Sequence, residues 1–467
     1  MIRPDLPRGY WNPRTETMPR EELRERQLEK LKVQLQHAYA GSKFWRGRMD
    51  AAGCPPESIR TLADFSSRFP ILKREEITAA ETVAPPYGTL PSVDPRLAVR
   101  HHQTSGTSGA NPVRTFDTAR DWAWAADMWC TGAYAMGVRP SDTALVAFGY
   151  GLFIGFWGLQ YGLEKIGCKV IPTGSFDSEK RVQLLIEQEC TVLACTPTYA
   201  LRLALTAEQM GVDLARDGKV RIVIASGEPR PEATKRKIEA AFSAFCGDTA
   251  GMTEAATIFM FECAEEPGGS HIIETDYIEE VVDPETLEPA EYGQIGVRLM
   301  TSLGREGIQM FRYWSNDLVV KRPHTDCSCG RTWDFYEGGI RGRHDDMRKI
   351  RGVWFMPSMV EDVVRTFPEI DEFQCLLINL DELDTLVIQI EPKANVHQSD
   401  YEPLRLRFTA EVKRQLSLTP RVELAASGQL PRFEMKAKRF RDLTTEVSEV
   451  SPPRSGVPVK PGRGPVQ

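Results

Sequence analysis

Five short stretches of this 467-residue chain carry side chains suited to chemistry on phosphates and carboxylates. The run Thr104-Ser105-Gly106-Thr107-Ser108-Gly109 joins hydroxyls to glycines. Small residues let backbone approach a ligand, and amides with hydroxyls cradle phosphate oxygens; the same composition also makes ordinary loops. In Gly251-Met252-Thr253-Glu254 a hydroxyl stands beside a carboxylate, a pairing for a phosphate oxygen and its Mg²⁺ counter-ion, or else a turn before a helix. Asp317, closing Arg312-Tyr313-Trp314-Ser315-Asn316-Asp317, suits a ribose diol or simply a strand end. Gly342-Arg343-His344-Asp345-Asp346-Met347 lies where the composition changes and reads as a hinge or a solvated linker. Pro431-Arg432-Phe433-Glu434-Met435-Lys436 opens a basic cluster; a lysine on a loop there can stabilise a phosphoryl-transfer transition state, although most such clusters are plain surface.

Two further patterns bear on ligands. Gly149-x-Gly151-x3-Gly155 follows a strand-like run and has the look of a dinucleotide fingerprint, with Asp177 downstream, which would suit a nicotinamide-dependent oxidoreductase. Phe148, Tyr150, Phe153, Ile154, Phe156 and Trp157 crowd that segment, so an aromatic-lined pocket for an organic group, or core packing, fits better. Cys263, His271, Cys327 and Cys329 form Cys-x7-His and a later Cys-x-Cys-Gly, four ligands in two clusters as a closed structural Zn²⁺ site requires. Free thiols in a turn, with His324 as a competing ligand, are the alternative. The other cysteines sit in apolar strings and read as core.

These residues need a scaffold, and the chain has material for one. Hydrophobic residues make up 41% and charged residues 26%, which excludes disordered and disulfide-dense classes for the whole chain. Net charge is −7, so no general nucleic-acid surface is expected. Met1–Tyr10 is polar and the cysteines are scattered, as in a reduced cytoplasmic protein. Thr143–Leu163 lacks charge, but its five glycines dilute it too far for a membrane span. Leu23, Leu28, Leu31, Leu35 and Ala38 predict an amphipathic helix. Strand-like runs at Thr143–Phe148, Lys169–Pro172, Cys190–Cys195 and Val220–Ser226 alternate with helical stretches at Ser178–Glu189, Pro197–Met210 and Glu232–Phe242, predicting an α/β fold of parallel βαβ units. Strands and turns follow from Ile272 to Val320. A small α+β domain is expected over 343–447 after a large domain over 1–342, and 448–467 reads as a flexible tail.

The order of these motifs resembles the adenylate-forming superfamily of acyl-CoA synthetases, luciferases and peptide-synthetase adenylation domains. Within it Tyr10-Trp11-Asn12-Pro13, Gly149-Tyr150-Gly151-Leu152-Phe153, Thr196-Pro197-Thr198-Tyr199 and Gly227-Glu228-Pro229 resemble the phenylacetate–CoA ligase family. The resemblance covers residues 10–443 and implies a ligase that uses ATP, Mg²⁺ and coenzyme A on an aromatic or arylacetic acid, with a mobile C-terminal domain and a homodimeric assembly. It implies that Thr104, Ser105, Gly106, Thr107, Ser108 and Gly109 wrap the ATP phosphates, with Glu228 and Gly251 also at the nucleotide. Thr253 would touch the α-phosphate, Glu254 would hold Mg²⁺, and Asp317 with Arg343 would bind the ribose. Asp345 would be the pivot and Lys436 the catalytic lysine, while Phe148, Tyr150, Phe153, Ile154 and Phe156 would line the acyl pocket. Some family members are also expected to bind zinc in the Cys263–Cys329 region.

Several positions depart from the family pattern. Ala110-Asn111-Pro112 stands where the phosphate loop usually continues Lys-Pro, so a phosphate-facing cation is missing. Ala250 replaces the tyrosine that stacks on adenine, Asn316 and Met435 replace glycines, and Phe156-Trp157 replace Gly-Leu in the acyl segment. The first two changes would weaken ATP binding, and a non-catalytic adenylate- or acyl-binding relative is the alternative they support.

Overall fold

Apolar residues alternate along the short central strands, and the alternation becomes two cores. Ala144, Val146, Val192, Ala194, Ile222 and Ile224 pack into one, while Leu145, Leu193, Cys195, Val223 and Ala225 pack into the other. Successive strand residues face opposite sides, so these strands form a sheet buried on both faces. The first core is completed by helices Ala119–Ala135 and Ile154–Ile166, and the second by Ser178–Glu187, Pro197–Gln209 and Glu232–Phe242. The structure, a computed structural model, describes residues 9–104, 111–265, 269–350, 353–380, 383–416, 418–431 and 439–444.

Strands β1 (Ala98–Gln103) and β2 (Arg114–Thr118) pair as an antiparallel two-stranded sheet. The central parallel strands are β3 (Thr143–Val146), β4 (Lys169–Pro172), β5 (Val192–Cys195), β6 (Ile222–Ser226) and β7 (Phe245–Met252). An antiparallel half follows with β8 (Thr257–Glu262), β9 (Gly269–Ile272), β10 (Tyr277–Val282), β11 (Ile295–Ser302), β12 (Tyr313–Arg322), β13 (Phe335–Glu337) and β14 (Gly342–Arg343). All from β3 onward join one 12-stranded sheet in the order β10-β11-β12-β13-β9-β8-β7-β6-β5-β3-β4, with β14 on β12. The expected parallel units are therefore present, inside a mixed sheet.

The uncharged, glycine-rich stretch has a packing explanation. A Cβ at Gly158 would fall 2.6 Å from Trp129 Nε1, and one at Gly162 would fall 2.6 Å from Trp129 Cβ. Glycine at both positions lets helix Ile154–Ile166 lie against helix Ala119–Ala135. Among the described residues no helix is long and apolar enough to cross a membrane.

Two compact units emerge. The larger comprises residues 9–349 with 354–368. In the smaller, an antiparallel hairpin of Ile370–Leu380 and Leu383–Pro392 is flanked by parallel strands Phe440–Asp442 and Arg421–Leu424, with helix Tyr401–Leu416 burying Leu404, Phe408 and Val412. Within it Glu391 accepts from the Gly428 and Leu430 amides at 2.7 and 2.9 Å, and Arg439 pairs with Glu372 at 2.7 Å.

Candidate active site

In open parallel sheets ligands gather at the carboxyl ends of the strands, where loops converge. Here β3 ends shortly before Phe148, β5 before Thr196, β6 before Gly227-Glu228, and β7 before Thr253-Glu254. Gly251 sits at an irregularity in the β7–β8 register, where a Cβ would come within 2.7 Å of the Thr257 carbonyl. Only a residue without a side chain permits that approach, and it turns the chain so that Thr253 and Glu254 follow as buried residues.

Glu254 is the centre of a small network. Tyr313 Oη donates to Glu254 Oε1 at 3.1 Å, and Arg74 Nη1 lies 3.5 Å from the same oxygen. Burial, reinforced by the Glu254 charge, holds the Tyr313 phenol well above its ordinary pKa, so it stays a proton donor. Glu254 Oε2 makes no hydrogen bond among the described residues. A carboxylate with one oxygen anchored and the other uncommitted suits Mg²⁺, which takes one or two protein carboxylates and fills its sphere with phosphates and water. Arg74 also donates to Thr104 Oγ1 and the Asn111 carbonyl, both at 3.1 Å. Thr104 and Val113 close the base of the loop between them through bonds of 3.0 and 2.9 Å. Ser105, Gly106, Thr107, Ser108 and Gly109 lie outside the described residues, as does Lys436.

The expected ribose pair is adjacent in the sheet. Asp317 on β12 is in register with Arg343 on β14, their side chains 3.6 Å apart. Arg343 also binds Asp345 through Nε and Nη2 at 3.0 and 2.8 Å. Burial works against the Arg343 charge, but Asp345 and Asp317 outweigh it and raise its pKa above the ordinary value. From the other side Arg298 Nη1 holds Asp317 at 2.9 Å, while its Nε and Nη2 grip Glu279 at 2.6 and 3.0 Å. Arg298 is completely buried; both carboxylates are needed to offset its desolvation. Asn316 has φ +64°, a left-handed conformation that asparagine tolerates better than most residues, and its Oδ1 accepts from Trp314 Nε1 at 2.6 Å. This explains how asparagine stands at a family glycine.

Asp248 and Ala250 share one face of β7. Asp248 Oδ2 lies 2.7 Å from where a Cβ of Gly339 would be, just before β14. Burial, partly offset by Arg230, raises the Asp248 carboxyl to about 6. Glu228 accepts from the amide and hydroxyl of Thr198 at 3.1 and 3.0 Å, so it also caps helix Pro197–Gln209.

The aromatic segment after β3 divides. Phe148 stacks on Phe156, and Phe153 lies 5.6 Å from Phe156, ring to ring. Tyr150 packs edge-on against Trp157 at 4.7 Å. Tyr150 Oη is buried with no hydrogen-bond partner among the described residues, and burial pushes its pKa up to about 12. Ile154 turns instead into a separate cluster with Trp122, Ala125 and Ala256, away from the Phe148–Phe153–Phe156 group. The fingerprint glycines fail as a dinucleotide turn: Gly149, Gly151 and Gly155 have no positive φ, and the Phe153 ring crowds Gly155.

The four expected zinc ligands meet, their ligand atoms all within 4.8 Å of one another. His271 Nε2 lies 3.2 Å from both Cys327 Sγ and Cys329 Sγ, and Cys263 Sγ is 3.7 Å from Cys327 Sγ. His271 Nδ1 is 2.9 Å from the Trp333 carbonyl, which fixes the proton there and turns Nε2 toward the thiols. His324 sits by Asp334, outside the cluster.

Residues 72–302 match the AMP-binding enzyme family model, and 352–444 match the AMP-binding enzyme C-terminal domain. The phenylacetate–coenzyme A ligase of Thermus thermophilus is 33% identical over 451 residues, 93% of this chain and 99% of that protein. The chain belongs to the phenylacetate–CoA ligase family of AMP-binding enzymes. The Escherichia coli K12 phenylacetate–coenzyme A ligase is 31% identical, covering 92% of this chain and 96% of its own. A crystal structure of 2-hydroxyisobutyryl-CoA ligase in the postadenylation state, with R3-HIB-AMP, superposes with a TM-score of 0.88 at 29% identity, covering 96% and 94% of the two chains.

Family motifs led to Glu254, Thr253, Asp317 and Arg343, but gave no role to Arg74 or Arg298. Arg74 sits in a charged run, Lys73-Arg74-Glu75-Glu76, that reads as a solvated helix start. Arg298 did leave a signal, a lone cation inside the apolar strand text of Val297-Arg298-Leu299.

Proposed function

We propose that this protein is an AMP-forming acid–thiol ligase that joins an aromatic or arylacetic acid to coenzyme A through an acyl-adenylate. The observation that carries this reading is the linkage of Thr104 through Arg74 to the Glu254–Tyr313 pair, with the Asp317–Arg343 pair in the same sheet, in a chain of which 93% matches a phenylacetate–CoA ligase. A carboxylate oxygen attacks the α-phosphorus of ATP, forming one P–O bond and breaking the bond to pyrophosphate. The thiol of coenzyme A then loses its proton and attacks the acyl carbon, and AMP leaves. Two anions must approach in the first step, so cationic and hydrogen-bonding groups have to offset their repulsion.

Thr253 faces the α-phosphate, Asp317 and Arg343 hold the ribose, and the loop through Ser105, Gly106, Thr107, Ser108 and Gly109 wraps the terminal phosphates. Glu254 holds Mg²⁺, which neutralises phosphate charge when bound. Lys436 bridges the carboxylate and α-phosphate during adenylation, and Asp345 is the pivot about which the C-terminal domain turns. Phe148, Tyr150, Phe153 and Phe156 line the acyl pocket. A structural Zn²⁺ held by Cys263, His271, Cys327 and Cys329 is part of this reading, as are a cytoplasmic location and a homodimer.

The test is pyrophosphate release from ATP and Mg²⁺ across aryl, arylacetic and short aliphatic acids, with and without coenzyme A. Acid-dependent release led by aryl acids, rising with coenzyme A as thioester appears, is the expected result. Silence across the panel with retained acyl-AMP binding would make the protein a binding-only relative, with Ala250 the first suspect.

A further inference from the structure

Ala110-Asn111 stands where the family pattern has a lysine, yet a cation from elsewhere in the chain, Arg74, bonds to the Asn111 carbonyl. We infer that Arg74 supplies the phosphate-facing positive charge for the β- and γ-phosphates of ATP, in place of the lysine absent at Ala110-Asn111. This rests on the adenylating reading proposed above.

The fold builds the position in two steps. Leu72 forms a short parallel bridge to Tyr313: its amide donates to the Arg312 carbonyl at 3.0 Å, and the Trp314 amide donates back to the Leu72 carbonyl at 2.9 Å. Helix Arg74–Val83 then begins at once, its start fixed by Glu76 accepting from the Lys73 amide at 2.8 Å. The first helical residue is thereby set beside the Glu254–Tyr313 pair, although 180 residues separate Arg74 from Glu254 in sequence.

Its guanidinium touches three groups around the expected phosphate position and no others among the described residues. Nη1 faces Glu254 Oε1 at 3.5 Å, and Nη2 donates to Thr104 Oγ1 and the Asn111 carbonyl at 3.1 Å each. Thr104 and Asn111 stand on either side of residues 105–110 in sequence, so Arg74 binds both flanks of the hydroxyl–glycine run. Its side chain is 28% exposed, held yet open on one side, and Nε makes no hydrogen bond among the described residues. A planar fork with spare N–H donors is suited to two phosphate oxygens. Both Nη2 acceptors are neutral, so apart from the 3.5 Å pairing of Nη1 with Glu254 the ties to Thr104 and Asn111 make no use of the charge.

The test compares MgATP, AMP and a supplied acyl-adenylate as ligands of Arg74→Gln and Arg74→Lys by titration calorimetry. Glutamine can still hydrogen-bond to Thr104 and Asn111 but carries no charge; lysine keeps the charge. ATP affinity is expected to fall about 10-fold or more in Arg74→Gln and to recover substantially in Arg74→Lys. AMP and acyl-adenylate affinities are expected to stay within about 2-fold, since neither has β- or γ-phosphates. Equal losses for all three ligands would make Arg74 merely structural, and unchanged ATP affinity would remove it from the site; either overturns the inference. Failure of the native protein to bind ATP would do so as well. Tight ATP binding with the expected variant pattern, but no acid adenylated, would leave this assignment standing and defeat the functional reading instead.

Discussion

Around Glu254 and Asp317 the charged groups hold one another: Arg74 and Tyr313 on Glu254, Arg298 and Arg343 on Asp317, Glu279 behind Arg298. Around Phe148, Tyr150, Phe153 and Phe156 the contacts are ring against ring, and a buried hydroxyl, Tyr150 Oη, has no partner among the described residues. Under the proposed function, the difference follows from what each region must do. A nucleotide is the same in every turnover, so its side can be wired in advance by ion pairs that fix each donor. An acyl group differs from one relative to another, and apolar walls select by size and shape with little directional cost. Substitutions on the first side should damage chemistry, and those on the second should change which acid is used.

The largest effect should come from the reacting groups. Lys436→Ala is expected to slow adenylation about 100-fold or more, yet to spare thioester formation from supplied acyl-AMP. Equal loss in both half-reactions would remove Lys436 from its role. Glu254→Gln retains an acceptor for Tyr313 but loses the charge. Its adenylation rate should fall by roughly the same factor with melting temperature nearly unchanged, measured by pyrophosphate release and thermal unfolding.

On the acyl side, Phe156→Gly removes the ring stacked on Phe148. It should raise kcat/KM for bulkier aryl acids about 10-fold relative to the smallest acids, while the KM for ATP stays put. If all acids shift together, Phe156 belongs to the core and not to the pocket.

The Cys–His cluster lies beyond the nucleotide side. His271 on β9 pairs with Phe261 of β8, and β8 in turn pairs with β7. Elemental analysis should find close to one zinc per chain in the native protein and little in Cys327→Ser. That variant should melt about 5 °C lower, with the acid preference unchanged.

The smallest effect concerns pH. Burial lifts the Glu81 carboxyl to about 7, although Arg114 pulls against it with its amide at 2.8 Å and its guanidinium at 3.4 Å. Between about pH 4.5 and 7 the folded protein therefore holds a proton that the unfolded chain has released. Stability falls as pH rises through that window and levels off above it. Glu81→Gln should flatten the decline by roughly 1–3 kcal/mol between pH 5 and 8 in urea unfolding.

The extent to which this was readable from sequence depended on the kind of signal. Strands β3, β5 and β6 alternate apolar residues that both faces must bury, and their period is visible in the text. Gly251-Met252-Thr253-Glu254 is local, because one turn puts the hydroxyl next to the carboxylate. Arg74 was invisible for the opposite reason: only the Leu72–Tyr313 bridge carries it to Glu254, and such a tertiary contact leaves no spacing to read. Ile154 adjoins the aromatic run in sequence, yet it packs with Trp122 and Ala256 while Phe156 stacks on Phe148, a division that adjacency alone does not show. Asn316 departs from the family's glycine, and its φ of +64° is a conformation that asparagine tolerates.

The central claim is that a carboxylate oxygen attacks the α-phosphorus. Supplying the preferred acid with ¹⁸O in its carboxyl group, then analysing the products by mass spectrometry after one turnover with ATP and coenzyme A, tests it directly. Attack at the α-phosphorus leaves one labelled oxygen in AMP when the thiol displaces it, and none in pyrophosphate. Label in inorganic phosphate with ADP as the product would mean attack at the γ-phosphorus, and would contradict the account.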